Sequence, residues 1–104
     1  ITPIQNLKSL TSLELFDNKI SDLSPLSDLS LLTLLRLNEN NVEDIGVLAK
    51  LENLEMLYLG DNEISDYSPL YELPKLKLLT LGANVTDEQR SECIERMPLC
   101  SIKG

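Results

Sequence analysis

The chain of 104 residues has no histidine, no tryptophan, only three tyrosines and one phenylalanine, four glycines and two cysteines. Each shortage removes a class of function. Without histidine there is no imidazole to act as a general base near neutral pH or as a metal ligand. The few glycines form no phosphate-cradling loop, and no Gly-x-Ser-x-Gly elbow is present to hold a nucleophilic serine. Neither Cys93 nor Cys100 has a base near it in sequence that would make it a nucleophile. No catalytic residue, no cofactor and no metal is therefore expected. Basic residues are scarce too, nine against seventeen acidic ones, for a net charge of −8. Phosphate backbones reward clustered Lys and Arg, so nucleic acid is excluded as a partner. No apolar run reaches the roughly 18 residues that would insert in a bilayer. No signal peptide is present, although Ile1 falls in mid-repeat and the chain reads as an excised piece that could have lost one.

What the chain has in quantity is leucine, in a fixed order. Leu7, Leu10, Leu13, Leu15, Asn18, Ile20, Asp22, Leu23 and Leu26 recur 22 residues later as Leu29, Leu32, Leu35, Leu37, Asn40, Val42, Asp44, Ile45 and Leu48. They recur again as Leu51, Leu54, Leu57, Leu59, Asn62, Ile64, Asp66, Tyr67 and Leu70, and in part as Leu73, Leu76, Leu79, Leu81 and Asn84. A period of this length with Leu-x-x-Leu-x-Leu-x-x-Asn inside it marks a solenoid, in which each repeat is one coil stacked on its neighbours. The expected organisation is a single domain. Residues 1–6 are the tail of a preceding repeat, 7–28, 29–50, 51–72 and 73–84 are repeats, and 85–104 form a cap.

Within a coil, Leu13-Glu14-Leu15 alternates with period two and reads as a short strand. Stacked copies give a parallel sheet whose Leu columns fill the inside of a right-handed, horseshoe-like α/β arc. Asn18, Asn40, Asn62 and Asn84 fall where the chain leaves the strand, and their amides can serve backbone groups that lose sheet partners. A structural ladder is expected for all four. Asn84-Val85-Thr86 also spells a glycosylation sequon, set against that ladder role. Ser24-Pro25-Leu26, Gly46-Val47-Leu48 and Ser68-Pro69-Leu70 predict 3₁₀ or extended backbone on the convex side, with Asp22, Asp44 and Asp66 capping those turns.

The period breaks after Asn84, where one residue is missing relative to Asn-x-Ile. Thr86 and Gln89 then form a capping box that opens a helix over Asp87–Met97. Cys93, Ile94 and Met97 are expected on its inner face, Pro98 ends it, and Leu99–Ile102 follow as an extended stub. The helix reads as a lid on the last coil rather than as a partner-binding element. Cys93 and Cys100 read as small buried side chains, with a disulfide as the alternative.

The chain resembles the internalin type of bacterial leucine-rich repeat domain. The resemblance rests on the 22-residue period, the Asn column and the run Asn-x-Ile-x-Asp-Leu-x-Pro-Leu at Asn18–Leu26 and, with Tyr67 for Leu, at Asn62–Leu70. The tail Val85–Ile102, a helix followed by the stub Met97–Ile102, resembles the last repeat of bacterial surface leucine-rich proteins. The resemblance implies a recognition module, and similar repeats serve in host-cell adhesins, other bacterial surface proteins and cytosolic regulators.

On that fold the residues between the Leu columns form the concave surface. One column reads Ser12, Leu34, Met56, Leu78, the next Glu14, Arg36, Tyr58, Thr80, and the third Phe16, Asn38, Gly60, Gly82. Phe16, Leu34, Met56, Tyr58 and Leu78 are expected exposed and clustered, and with Arg36 they are the candidate partner-binding residues. Asp17, Glu39 and Asp61 form an acidic column beside them. It reads as a solvated rim, with a metal site or a dock for a basic partner as alternatives. The expectation is a non-enzymatic protein-binding module of a bacterial surface or secreted protein, monomeric as a fragment. The alternatives are a capped stalk with no ligand of its own, or a cytosolic scaffold.

Overall fold

The computed structural model describes residues 9–103. The expected tail over residues 1–6, together with Leu7, lies outside the described residues. Five short strands form one parallel sheet in chain order: β1 (Ser12–Glu14), β2 (Leu34–Arg36), β3 (Met56–Tyr58), β4 (Leu78–Thr80) and β5 (Ser101–Lys103). The register places Leu13, Leu35, Leu57, Leu79 and Ile102 side by side. Parallel neighbours need a crossover, and here each crossover is one turn of a leucine-rich repeat solenoid. The return side carries 3₁₀ turns at Ser24–Leu26, Gly46–Lys50 and Ser68–Leu70. In the last turn a helix, α1 (Asp87–Arg96), takes their place.

The repeated leucines make the core. Leu32, Leu35, Leu37, Leu54, Leu57 and Leu59 are essentially inaccessible, and Leu26, Leu48 and Leu70 close the interior from the 3₁₀ side. Each such burial contributes about 1.5–3 kcal/mol, realised only when the neighbouring coil is in place. Leu10, Leu13, Leu15 and Ile20, in the first described coil, are only partly buried.

Asparagine links coil to coil. Asn40 Oδ1 accepts from the backbone N–H of Asn18 at 3.1 Å and of Ile20 at 3.0 Å, while its Nδ2 donates to the carbonyls of Leu15 and Leu37, each at 2.9 Å. Asn62 repeats the pattern one coil on, accepting from Val42 N at 2.9 Å and donating to Leu37 and Leu59. Both amides are buried, so each satisfies groups that would otherwise lose a few kcal/mol on desolvation. Asn18 donates to its own Leu15 and Phe16 carbonyls.

Asn84 departs from the expectation. It is exposed and donates once across the coils, to the backbone carbonyl of Asn62 at 3.2 Å. The cause is a backbone slip that begins earlier than the sequence suggests. Asp17, Glu39 and Asp61 each take a left-handed conformation, with φ of 57°, 61° and 60°, and the next residue is the asparagine. In the fourth coil the left-handed residue is Gly82, with φ of 73°, not Ala83. Glycine accepts that region without penalty and alanine does not. A Cβ on Gly82 would also lie 2.6 Å from Gly60 Cα. Ala83 therefore stands where an inward asparagine would be, and Val85 falls three residues after the left-handed turn, as Ile64 does. The Gly82 carbonyl accepts from Arg90 Nη2 at 3.2 Å.

The turn aspartates act as expected. Asp22, Asp44 and Asp66 each accept, through Oδ1, the backbone N–H two residues on, at 3.0, 2.9 and 3.0 Å. The backbone N–H and hydroxyl of Ser24 hold the Asp22 carboxyl below its usual range, and Ser68 does the same for Asp66.

Thr86 caps α1 with a reciprocal box: its side chain accepts from Gln89 N at 3.1 Å, and Gln89 Oε1 accepts from Thr86 N at 2.9 Å. Cys93 and Met97, four residues apart, form the inward stripe. Ile94, expected beside them, is 52 % exposed, because a line through Cys93 and Met97 leaves the adjacent position turned outward. Both cysteines are free thiols. The expected stub is a full strand, β5, which extends the sheet and puts Ile102 on the Leu79 column. The helix is thus the return arm of the fourth coil, leading into β5, as well as a lid.

Candidate protein-binding face

Strand alternation buries the leucines and points their neighbours to the opposite side of the sheet. The register fixes two columns there: Ser12, Leu34, Met56, Leu78, Ser101, and Glu14, Arg36, Tyr58, Thr80, Lys103. Neighbours in a column stand about 4.8 Å apart. Lys103 enters this surface only because β5 joins the sheet, and a three-residue segment carries too little alternation to announce that in sequence.

The six candidate residues do not share one degree of exposure. Phe16 and Met56 are open, at 48 % and 41 %. Leu34, Tyr58 and Leu78, expected exposed, are half-buried, as is Arg36. Met56 lies between Leu34 and Leu78 in the register, and side chains this close cover one another. The result is a continuous apolar stripe across β2, β3 and β4.

Arg36 is held on two sides. The Glu14 carboxylate lies 2.9 Å from Arg36 Nε but off the line of its N–H, so the attraction is an ion pair rather than a linear hydrogen bond. On the other side the guanidinium sits over the Tyr58 ring, 4.5 Å from its centroid. The pair with Glu14 is partly exposed and adds little stability. Its effect is to flatten Arg36 on Tyr58 as a charge-compensated platform.

Beyond the platform the third column loses its side chains. Phe16 and Asn38 give way to Gly60, where a Cβ would be tight at 3.2 Å, and to Gly82, slipped back against it, where a Cβ would collide at 2.6 Å. The face is therefore raised at β1 and low at β3 and β4 on the side where the strands end. Asp17, Glu39 and Asp61 are exposed along that side, and among the described residues none of them joins an ion pair. No group of three or more metal-ligating side chains is assembled among the described residues.

Elsewhere the surface offers less chemistry. A cleft of about 180 Å³ lies between Tyr71, Pro74 and Leu76 on one wall and Met97, Leu99 and Cys100 on the other. Burial, more than the nearby Glu92 charge, pushes the Cys93 thiol up to about 11, so it is protonated and inert at neutral pH. No described helix is long and apolar enough to cross a membrane.

The family model for leucine-rich repeats in two copies matches residues 30–71 and 52–89. An internalin (inlF) structure from Listeria monocytogenes superimposes with a TM-score of 0.87 at 39% identity, over 99% of this chain and 30% of that one. Internalin C2 (inlC2) of the same species gives 0.76 at 34% identity, over 98% of this chain and 43% of that one. A leucine-rich repeat protein of Leptospira interrogans gives 0.88 at 24% identity, over 100% of this chain and 28% of its own, which shows the fold alone. No protein with a curated description matches. The chain thus spans less than half the length of each of these relatives. With the repeat period, the asparagine bridges and these matches together, the chain belongs to the leucine-rich repeat family, of the internalin type.

Proposed function

We propose that this chain is a non-enzymatic recognition module that binds a protein partner through its sheet face, as part of a bacterial surface or secreted protein. Leucine-rich repeat proteins are generally protein-interaction modules, and families of this type are typically non-enzymatic. The observation that carries the reading is the stripe Leu34, Met56, Leu78 with Phe16 and the Arg36–Tyr58 platform beside it. The repeat needs none of these side chains for its core, and polar residues would satisfy the sheet equally well. Apolar and aromatic groups clustered on such a face mark contact surfaces, with aromatic and Arg side chains the usual anchors. The surface or secreted setting rests on the internalin likeness.

The test is the pair Phe16→Ala and Tyr58→Ala made together. Neither side chain is in the buried core, so the melting curve should move by no more than about 1–2 kcal/mol in stability. A partner that the native chain captures from a cell extract should be lost by the double variant. A partner held with unchanged affinity by the double variant would remove this face as the site and favour the bare spacer.

A further inference from the structure

We propose that the occupant of the sheet face is an amphipathic α-helix of the partner, laid across the strands with basic residues along one flank. The proposal rests on the sheet face being the binding surface. Spacing argues for a helix. Leu34, Met56 and Leu78 stand in register on successive strands, so the stripe repeats about every 4.8 Å and spans about 9.6 Å. A helix rises about 1.5 Å per residue, so apolar residues at i, i+4 and i+7 span about 10.5 Å, a mismatch of about 0.9 Å that side chains absorb. An extended peptide presents same-face residues about every 6.7 Å, so three of them span about 13.4 Å and miss the stripe by about 3.8 Å.

Relief and charge set the orientation. Gly60 and Gly82 leave the strand-end side of the face low beside Tyr58 and Thr80, which leaves room for the flank of a cylinder about 10 Å across. Phe16 stands at the far end as a stop. The flank then runs along Asp17, Glu39 and Asp61, three exposed carboxylates in successive coils. Stacked like charges disfavour one another, and Lys or Arg at matching turns would relieve them. Arg36 does not compete, since Glu14 already compensates it. The net charge of −8 steers the same kind of partner from a distance.

The experiment selects a random displayed-peptide library on the full chain and remeasures synthetic winners by fluorescence anisotropy at low and moderate salt. The expected winners carry apolar residues at three- and four-residue spacing with Lys or Arg on one flank, and gain helicity on binding. Asp17→Asn, Glu39→Asn and Asp61→Asn together should keep the fold, since asparagine tolerates the left-handed region, and weaken binding about tenfold with a flatter salt dependence. Winners with alternating patterns or acidic flanks, failure to enrich helical basic sequences, or an unchanged affinity in the triple variant would overturn the helix. Met56→Glu separates the two readings. If it abolishes binding of extended or acidic winners, the helix is wrong and the face stands; if every winner binds it normally, the face itself is wrong.

Discussion

At the scale of single residues, two asparagines with the same place in the sequence phrase do different work. Asn62 bridges two coils with one acceptor and several donor bonds in a buried setting, whereas Asn84 makes one bond from the surface. Asn62→Ala should lose about 2–4 kcal/mol, because Val42 N and the Leu59 carbonyl lose their partner and the Leu37 carbonyl keeps only its bond from Asn40. Asn84→Ala should lose no more than about 1 kcal/mol. Paired urea titrations read the difference, and equal losses would contradict the slip at Gly82. That slip was hidden from the sequence for a physical reason. Matching letters puts the deletion after Asn84, but the backbone places its left-handed turn where a Cβ is absent, and that preference is a property of Gly82 alone. The leucine columns, by contrast, were fully legible, since a strict period leaves one way to bury them. The exposure of Leu34, Tyr58 and Leu78 was not, because it depends on how neighbours across the sheet cover one another.

At the scale of elements, the 3₁₀ turns are set by aspartates as much as by prolines. Asp22 and Asp66 hold their protons less tightly when folded than when unfolded, owing to the bonds from Ser24 and Ser68. A group whose pKa is depressed in the native state stabilises it above the unfolded value and loses that contribution as pH falls through the folded value. The stabilisation from these two turns is therefore present above the ordinary value of 3.8 and disappears progressively below it. Melting temperatures followed from pH 6 to about pH 2 should show a shallower acid decline in the Asp22→Asn, Asp66→Asn double variant than in the native chain. An identical slope would show that the carboxylates play no part in the turns. In α1 the capping box named both ends of its first turn in advance. The inward face did not follow from apolarity, because Ile94 is as hydrophobic as its neighbours yet points to water.

At the scale of the whole molecule, stability is shared between adjacent coils rather than stored in one centre. Every backbone ladder joins nearest neighbours, from β1 through to β5. The end coil of Val85–Lys103 therefore protects β4 as β4 protects β3. Removing it would uncover Leu79 and Leu81, which are now fully shielded, and would free the β4 edge for pairing with other chains. The shortened chain should lose its sharp denaturant transition and self-associate, as read by circular dichroism and light scattering. A monomer with an undiminished transition would mean that α1 and β5 are decoration. The fold at this scale was legible from the 22-residue phrase, while the fifth strand was not, since Ser101-Ile102-Lys103 repeats no part of it.

An array of like coils has no internal reason to stop, because each presents the same surface to the next. Gly82 breaks that sameness. By turning the chain a residue early it puts Ala83 where the other coils place the amide that reaches back to the coil before, so the fourth coil joins the third without the buried bridge that Asn40 and Asn62 supply. A different return arm, built on a helix, is what that altered surface accepts. The ordinary return arm is thus given up where the chain falls one residue out of phase, at Gly82, and α1 takes over from there.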